Sequence, residues 1–323
     1  MSSWANRHIP RKRDLSQIPA EFRPHLVPRA EQPHVLLSET FQFKPINEVI
    51  YPAASVSSEP RIRKIDAIPL SARTLTYKNQ TYVFVILRNI RHTKDNDLWI
   101  SSYNSIRRFY TNPIKIIDDN SSINTVNGKL IDTEIIASDW NGAGEILPYY
   151  YFMKNKWADR MIFIHDSMFL SRPFHESELE GSVRFHWFFQ NKKDDRKYSK
   201  YLSLLSTSGP LIEYSTQLSS WKGCFGGASI IDLALVESLE ETYGLFSRLT
   251  MAIRSRPDRE MFERILGMIL FYEGHVNDQC SNFGDILRYP DAFESQFQTI
   301  ETAGHRLVET GYDTAIIKVW RGR

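Results

Sequence analysis

The sequence is short of cysteine, of long apolar runs and of net charge, and each shortage excludes a class of protein. Two cysteines in 323 residues, Cys224 and Cys280, cannot build a disulfide framework. They also fall short of the thiolates that a cysteine-type structural zinc site needs. Such sparing use fits a reducing compartment, and a cytoplasmic location is the expectation. The most apolar stretches, at 161–164 and 267–272, are far shorter than the roughly 18–20 residues of a membrane span. Residues 1–30 hold no apolar segment of signal-peptide type, and Pro10, Pro19, Pro24 and Pro28 interrupt them. Forty Lys and Arg against 38 Asp and Glu leave a net charge of +2. That is too little for the basic field of a general nucleic-acid binder. G-x-G-x-x-G, G-x-x-x-x-G-K-[ST], G-x-S-x-G and H-E-x-x-H are all missing. Dinucleotide, P-loop, serine-hydrolase and zincin readings lose their main support with them.

What is present is unevenly placed. Nine of the 15 prolines lie in residues 1–70, and residues 1–30 carry six basic side chains against two acids. Pro donates no ladder hydrogen bond and turns its predecessor away from helix. Residues 1–75 are therefore expected to form an extended basic arm that wraps the rest of the chain or mediates self-association into a homo-oligomer. Phe41, Phe43, Ile46, Val49, Ile50 and Tyr51 are the side chains with which it would dock. The run Arg11-Lys12-Arg13 is too short to mark a nucleic-acid site.

From residue 76 the texture changes. TYVFVIL at 81–87 reads as a strand buried on both faces. LWISSYNSIRRFY at 98–110 has helical spacing and stops before Pro113. IKII at 114–117, the segment 130–136 and RMIFI at 160–164 read as further strands. A helix is expected between the last two, over 145–154. Strand and helix alternating at this spacing predict an α/β domain over 76–323, with a mainly parallel central sheet flanked by helices. Further on, GSVRFHWFF at 181–189 alternates like a strand. A helix is expected over 258–271, with Pro257 near its start.

Five groups of residues can carry chemistry. Asp118, Asp119 and Asn120 follow a parallel strand, where open α/β sheets bind ligands; they suit a ribose or a base, or else an Asx turn. Asp166, after the strand at 160–164, suits a divalent cation or a cap, and His165 is a second candidate ligand or a packed ring. Arg88 and Asn89 follow the first strand, where a guanidinium can pair with phosphate. Trp221 with Gly226 and Gly227 offers an aromatic face and a close backbone approach to a sugar, or a plain turn. Asp258, Glu260 and Glu263 open a helix; one can deprotonate an acceptor hydroxyl, or all can serve the helix start.

Taken in order, these segments resemble glycosyltransferases of the GT-A fold. The resemblance rests on the strand ending at Arg88, on IIDDNSS at 116–122, on GAGEILPYYYFMKNKWADRMIFIHDSMFL at 142–170, and on WKGCFGGASII at 221–231. It continues through DREMFERILGMIL at 258–270, NFGDI at 282–286 and IIKVWRGR at 316–323. Glycosyltransferase-like proteins of giant DNA viruses and some microbes carry a similar series. The resemblance covers about residues 80–323.

It implies transfer of a sugar from a nucleoside-diphosphate donor to a hydroxyl of a glycan or protein, with Mn²⁺ or Mg²⁺. Arg88, Asn89, Asp118, Asp119, Asn120, Gly144, Lys318 and Arg321 would then hold the donor, and Trp221, Gly226 and Gly227 the sugar or acceptor. Asp166 with His165 would hold the metal, and Asp258 or Glu260 would be the base. Viral kinship would place the protein in an infected cell or a virion. The family's Asp-x-Asp metal element reads Ile164-His165-Asp166-Ser167 here, with one acid. That leaves room for a cationic alternative at Lys318, Arg321, Arg323 or Arg88. A nucleotidyltransferase would want glycine in RNIRHTKDND at 88–97, which has none. A catalytically inactive member serving assembly is the third reading.

Overall fold

The computed structural model describes residues 63–123, 125–190, 197–290 and 299–320. All the described residues belong to one compact unit. Most of the proline-rich arm, residues 1–62, lies outside the described residues, as do Arg321 and Arg323.

β1 (Tyr82–Arg88) is buried along its whole length. Its apolar run is continuous because both faces of the sheet are covered. Val83, Val85 and Leu87 enter one core; Tyr82, Phe84 and Ile86 enter the other. Each such side chain contributes roughly 1.5–3 kcal/mol by leaving water. α1 (Thr93–Phe109) covers the second face with Trp99, Ile100, Tyr103 and Ile106. It ends where Tyr110 turns extended, three residues before Pro113. β2 (Ile114–Asp118) and β3 (Thr133–Ala137) follow. A 3-10 turn, Gly144–Ile146, leads into α2 (Leu147–Asn155), which has Pro148 in its first turn and packs on the first face. β4 (Arg160–His165) returns the chain to the sheet, and β5 (Met168–Leu170) follows it.

The segment expected as one strand over 181–189 is two. β6 (Val183–Phe185) and β7 (Phe188–Gln190) join different sheets. His186 and Trp187, both fully buried, sit at the break. The alternation of apolar residues is real, but the chain changes partners in its middle. Two short helices, α3 (Lys197–Leu202) and α4 (Gly209–Ser215), then β8 (Lys222–Cys224), a 3-10 turn at Phe225–Gly227 and β9 (Ser229–Asp232) come next. α5 (Leu233–Tyr243), α6 (Leu245–Thr250) and α7 (Arg256–Tyr272) then pack on the first face. α8 (Ile300–Thr310) and β10 (Ile316–Lys318) close the described chain.

The central sheet has the order β3-β2-β1-β4-β9-β6. Its first four strands are parallel, and β9 runs antiparallel to both β4 and β6. Two small antiparallel pairs, β5 with β10 and β7 with β8, stand beside it. The expected α/β class with a mainly parallel sheet flanked by helices is what the chain forms. Residues just before β1 already bind the domain: the Ile65 N–H reaches the Asn127 carbonyl at 2.8 Å, and Asn104 brackets Lys64 and Asp66.

Candidate functional site

The chain leaves β1 to build β2 on one side and later β4 on the other. The carboxyl ends of β2, β1 and β4 therefore stand in a row where strand order reverses. That crevice is where open α/β sheets take ligands. Register puts Arg88 opposite Asp118 and Leu87 opposite His165.

Arg88 is fully buried and donates from Nε to Asp118 Oδ2 at 2.7 Å. Its guanidinium lies 4.6 Å from the centre of the Trp99 ring. Burial lowers its pKa, and the charges of Asp118 and Asp166 work against that. Asp118 uses Oδ1 to accept the Ser121 N–H at 2.7 Å, so this carboxylate shapes the turn as well as pairing with arginine. Asn120 takes φ +60° in that turn, a conformation Asn tolerates better than most residues. Asp119 accepts the Gly142 N–H at 2.6 Å and the Gly144 N–H at 3.1 Å, tying β2 to the turn before α2. Its pKa is raised because burial outweighs those two bonds and the charges of Arg259 and Arg91. Asn89 donates to the Asp119 carbonyl from the neighbouring strand end.

On the other side of β1, consecutive residues of β4's end diverge. His165 Nε2 lies 2.7 Å from the Gly226 carbonyl, and its ring stacks on Phe163. Asp166 is buried and faces the field of Arg88. Ser167 receives a hydrogen bond of 2.6 Å from the buried Lys318 ammonium. Gly226 and Gly227 both have left-handed backbone, at φ +63° and +62°. A Cβ on Gly226 would meet His165 Nε2 at 2.6 Å, so glycine is what lets this turn lie on the end of β4.

A third wall comes from α7. Arg259, Glu263 and Gly267, spaced four apart, share one helical face. Arg259 Nε pairs with Glu145 Oε2 at 3.0 Å and fills the space above Gly144. Glu263 accepts the Gly226 N–H. Burial raises the pKa of Glu263, and the charge of Glu145 adds to it. Glu145 is raised too, by burial first; Arg259 and Lys318 pull it back while Asp119 pushes it up. The charge of Glu145 thus opposes the ionisation of Glu263.

The crevice gathers Arg88, Asn89, Asp118, Asp119, Gly144, His165, Asp166, Gly226, Gly227 and Lys318. Other candidates stand elsewhere. Trp221 is fully buried, its ring edge-on to Tyr198 at 5.7 Å, so it offers no face to a sugar. Asp258 completes the capping box of α7 opposite the N-cap Ser255: Oδ2 accepts from the Arg254 and Ser255 N–H groups, and Oδ1 from the Tyr201 hydroxyl. Burial pushes its pKa up, but these bonds outweigh that and leave it below the usual range. Glu260 lies exposed and pairs with Arg256 one turn away at 3.2 Å. Sequence reasoning gave no chemistry to Glu145 or Arg259. The signals for them are Gly142 and Gly144 just before Glu145, and the four-residue spacing on α7.

The residues expected to hold a metal do not fit one well. Among the described residues no three His, Cys, Asp or Glu side chains form a group that can hold an ion. His165 is turned to the Gly226 carbonyl, and Asp166 balances a buried guanidinium.

Fold and site together define an α/β protein whose candidate site lies at the carboxyl edge of a mainly parallel sheet. Among the described residues no helix is long and apolar enough to cross a membrane. No family model matches the sequence, and no curated protein matches it. Among solved structures, core-mannan synthase A of Aspergillus fumigatus, in a Mn/GDP form, is similar over 66% of this chain and 76% of its own. That likeness has 12% identity and a TM-score of 0.37. S. aureus TarS 1–349 is similar over 58% of this chain, at 10% identity and a TM-score of 0.30. The match spans 55% of that second chain, little more than half its length. Likeness of this degree carries no argument, and the architecture rests on the strand order and register above.

Proposed function

We propose that the chain is a GT-A-type glycosyltransferase, moving a sugar from a nucleoside-diphosphate sugar to a hydroxyl of a glycan or protein acceptor. The observation that carries this reading is the convergence of β1, β2, β4, the double-glycine turn and Lys318 on one crevice. A nucleoside and its diphosphate need hydrogen-bonding groups at one end and positive charge at the other. Asn89, Asp119 and Asn120 stand on the β2 side for base and ribose, and Lys318 stands on the β4 side for phosphate. Gly226 and Gly227 let backbone approach the sugar.

Charge on the departing diphosphate is the largest demand on such a site. An inverting transfer also needs a base at the acceptor hydroxyl. Of the three acids at the start of α7, Glu263 faces the crevice, and its raised pKa suits proton transfer near neutrality. Asp258, held low by its capping bonds, and the solvent-facing Glu260 suit that work less.

Thermal denaturation of the full chain with uridine and guanosine diphosphates and their sugars tests the reading. At least one of them is expected to raise the midpoint. No response to any of them would remove the main support. Product assays on a responding donor sugar then separate a transferase from an inactive relative.

A further inference from the structure

The end of β4 is where a divalent cation would be expected, and its side chains are committed otherwise. Asp166 is buried, and its N–H donates to the Leu87 carbonyl at 3.0 Å, which sets it against the end of β1 next to Arg88, a guanidinium with no exposed surface of its own. A buried cation needs its counter-charges, and Asp118 supplies only one of those that Arg88 feels. A divalent ion placed on Asp166 would compete with Arg88 for the same carboxylate and would be repelled by it. One residue further on, the ammonium of Lys318 is held by Ser167 Oγ at 2.6 Å. Three features fix that ammonium in place. β10 pairs with β5 in the register Lys318 opposite Met168. The Lys318 N–H donates to the Tyr289 hydroxyl at 2.8 Å, and that hydroxyl donates in turn to the Lys318 carbonyl at 3.0 Å. The Lys318 side chain also lies 5.5 Å from the centre of the Trp320 ring.

We propose that the donor diphosphate is neutralised here by the Lys318 ammonium, and that Asp166 is the counter-ion of Arg88 rather than the ligand of a divalent cation. The proposal rests on the glycosyltransferase reading, because it concerns how that site holds its donor. An ammonium fixed by the fold supplies positive charge without reorganising when the leaving group departs. On the α7 side of the site, Glu145 pairs with Arg259 at 3.0 Å.

Calorimetric titration of the full chain with uridine and guanosine diphosphates, in EDTA and in excess Mn²⁺, tests this. In EDTA the native chain is expected to bind one of them within about threefold of its affinity in Mn²⁺. Lys318→Met should weaken that binding roughly 10- to 100-fold, the worth of one charge-assisted hydrogen bond. Lys318→Arg, which keeps the charge, should recover part of it. Binding that appears only with Mn²⁺ overturns the proposal while leaving the glycosyltransferase reading intact. So does undiminished binding by a folded Lys318→Met chain. Failure of either nucleotide to bind under any condition overturns the glycosyltransferase reading itself. The EDTA comparison uses the native chain, so it tests the cation-free half of the proposal even where Lys318→Met does not fold, and partly retained affinity in Lys318→Arg beside a larger loss in a folded Lys318→Gln chain then tests the ammonium.

Discussion

Gly267 and Gly304 both sit inside helices, yet alanine should act with opposite sign at the two. In a helix interior alanine is favoured over glycine by about 1 kcal/mol. At Gly304, on α8, the added methyl would find only Ile317 Cδ1, at 3.8 Å, which is ordinary contact. Gly304→Ala should therefore stabilise the chain by about 0.5–1 kcal/mol. At Gly267, on α7, a Cβ would stand 2.2 Å from the Lys222 carbonyl oxygen, and 3.0 Å from Cys224 N and Gly223 Cα. All three atoms are backbone of β8, so no side chain can swing away. Overpacking a tight core costs typically 1–3 kcal/mol, and this contact is with a strand that cannot yield. Because the strand cannot yield, the cost lies in the upper part of that range, about 2–3 kcal/mol, and subtracting the helical gain leaves Gly267→Ala destabilised by about 1–2 kcal/mol. The two variants should then differ by about 2–3 kcal/mol, or several degrees in midpoint. Urea unfolding of both beside the native chain measures it. If Gly267→Ala matches Gly304→Ala, the close approach of α7 to β8 is wrong. The position of Glu263, one turn away on the same face, is then wrong as well.

Other expectations concern charge. Glu263 has a folded pKa raised above its ordinary 4.5, so it contributes stability below that value and loses it as pH rises through the folded one. Glu263→Gln should flatten the stability profile above pH 4.5 and gain on the native chain toward alkaline pH; parallel profiles would rule out the raised pKa of Glu263. His186 is buried between Phe174 and Phe283 and pushed down to about 3, with burial the main cause. Below pH 6.5 the unfolded chain takes up a proton that the native state refuses, so acid destabilises by up to ~1.4 kcal/mol per pH unit. Unfolding of His186→Phe at pH 7 and pH 5 should show about 2 kcal/mol less of that acid loss; an equal loss would refute it. Arg88→Met should cost about 3–5 kcal/mol by stranding Asp118, and adding Asp118→Asn should return part of it. Unfolding of the single and double variants checks this, and simple additivity would contradict the buried pair.

How much was legible depends on whether the signal is local. β1, β2 and β4 were readable because strands covered on both faces are mostly apolar, Lys115 in β2 and Arg160 in β4 excepted, and each ends in a polar residue that marks the crevice. The turn at Gly226 and Gly227 was readable as a close approach, though not what it approaches; only the fold brings His165, 61 positions earlier, against it. The strand expected over 181–189 was misjudged because alternation records which side chains are buried and not which strand lies alongside. Trp221 looked like a sugar platform because an aromatic beside glycines has the same sequence signature in a core and in a cleft.

The acids of α7 show the same limit at a site. Asp258, Glu260 and Glu263 lie within six positions and all have the composition of a solvated helix start. Helical geometry separates them: Asp258 turns back to cap its own helix, Glu260 faces water beside Arg256, and Glu263 shares a face with Arg259 and Gly267. That face is usable only because Gly267 lets α7 press onto β8. The close contact carries Glu263 to the Gly226 N–H and Arg259 to Glu145. Packing of this kind stabilises the helix while holding Glu263 within the field of Glu145, so the energy of the core supports a charge arrangement that would not hold alone. A residue without a side chain thus sets the chemistry of one placed four positions before it, and no reading of charge pattern along α7 would have shown that.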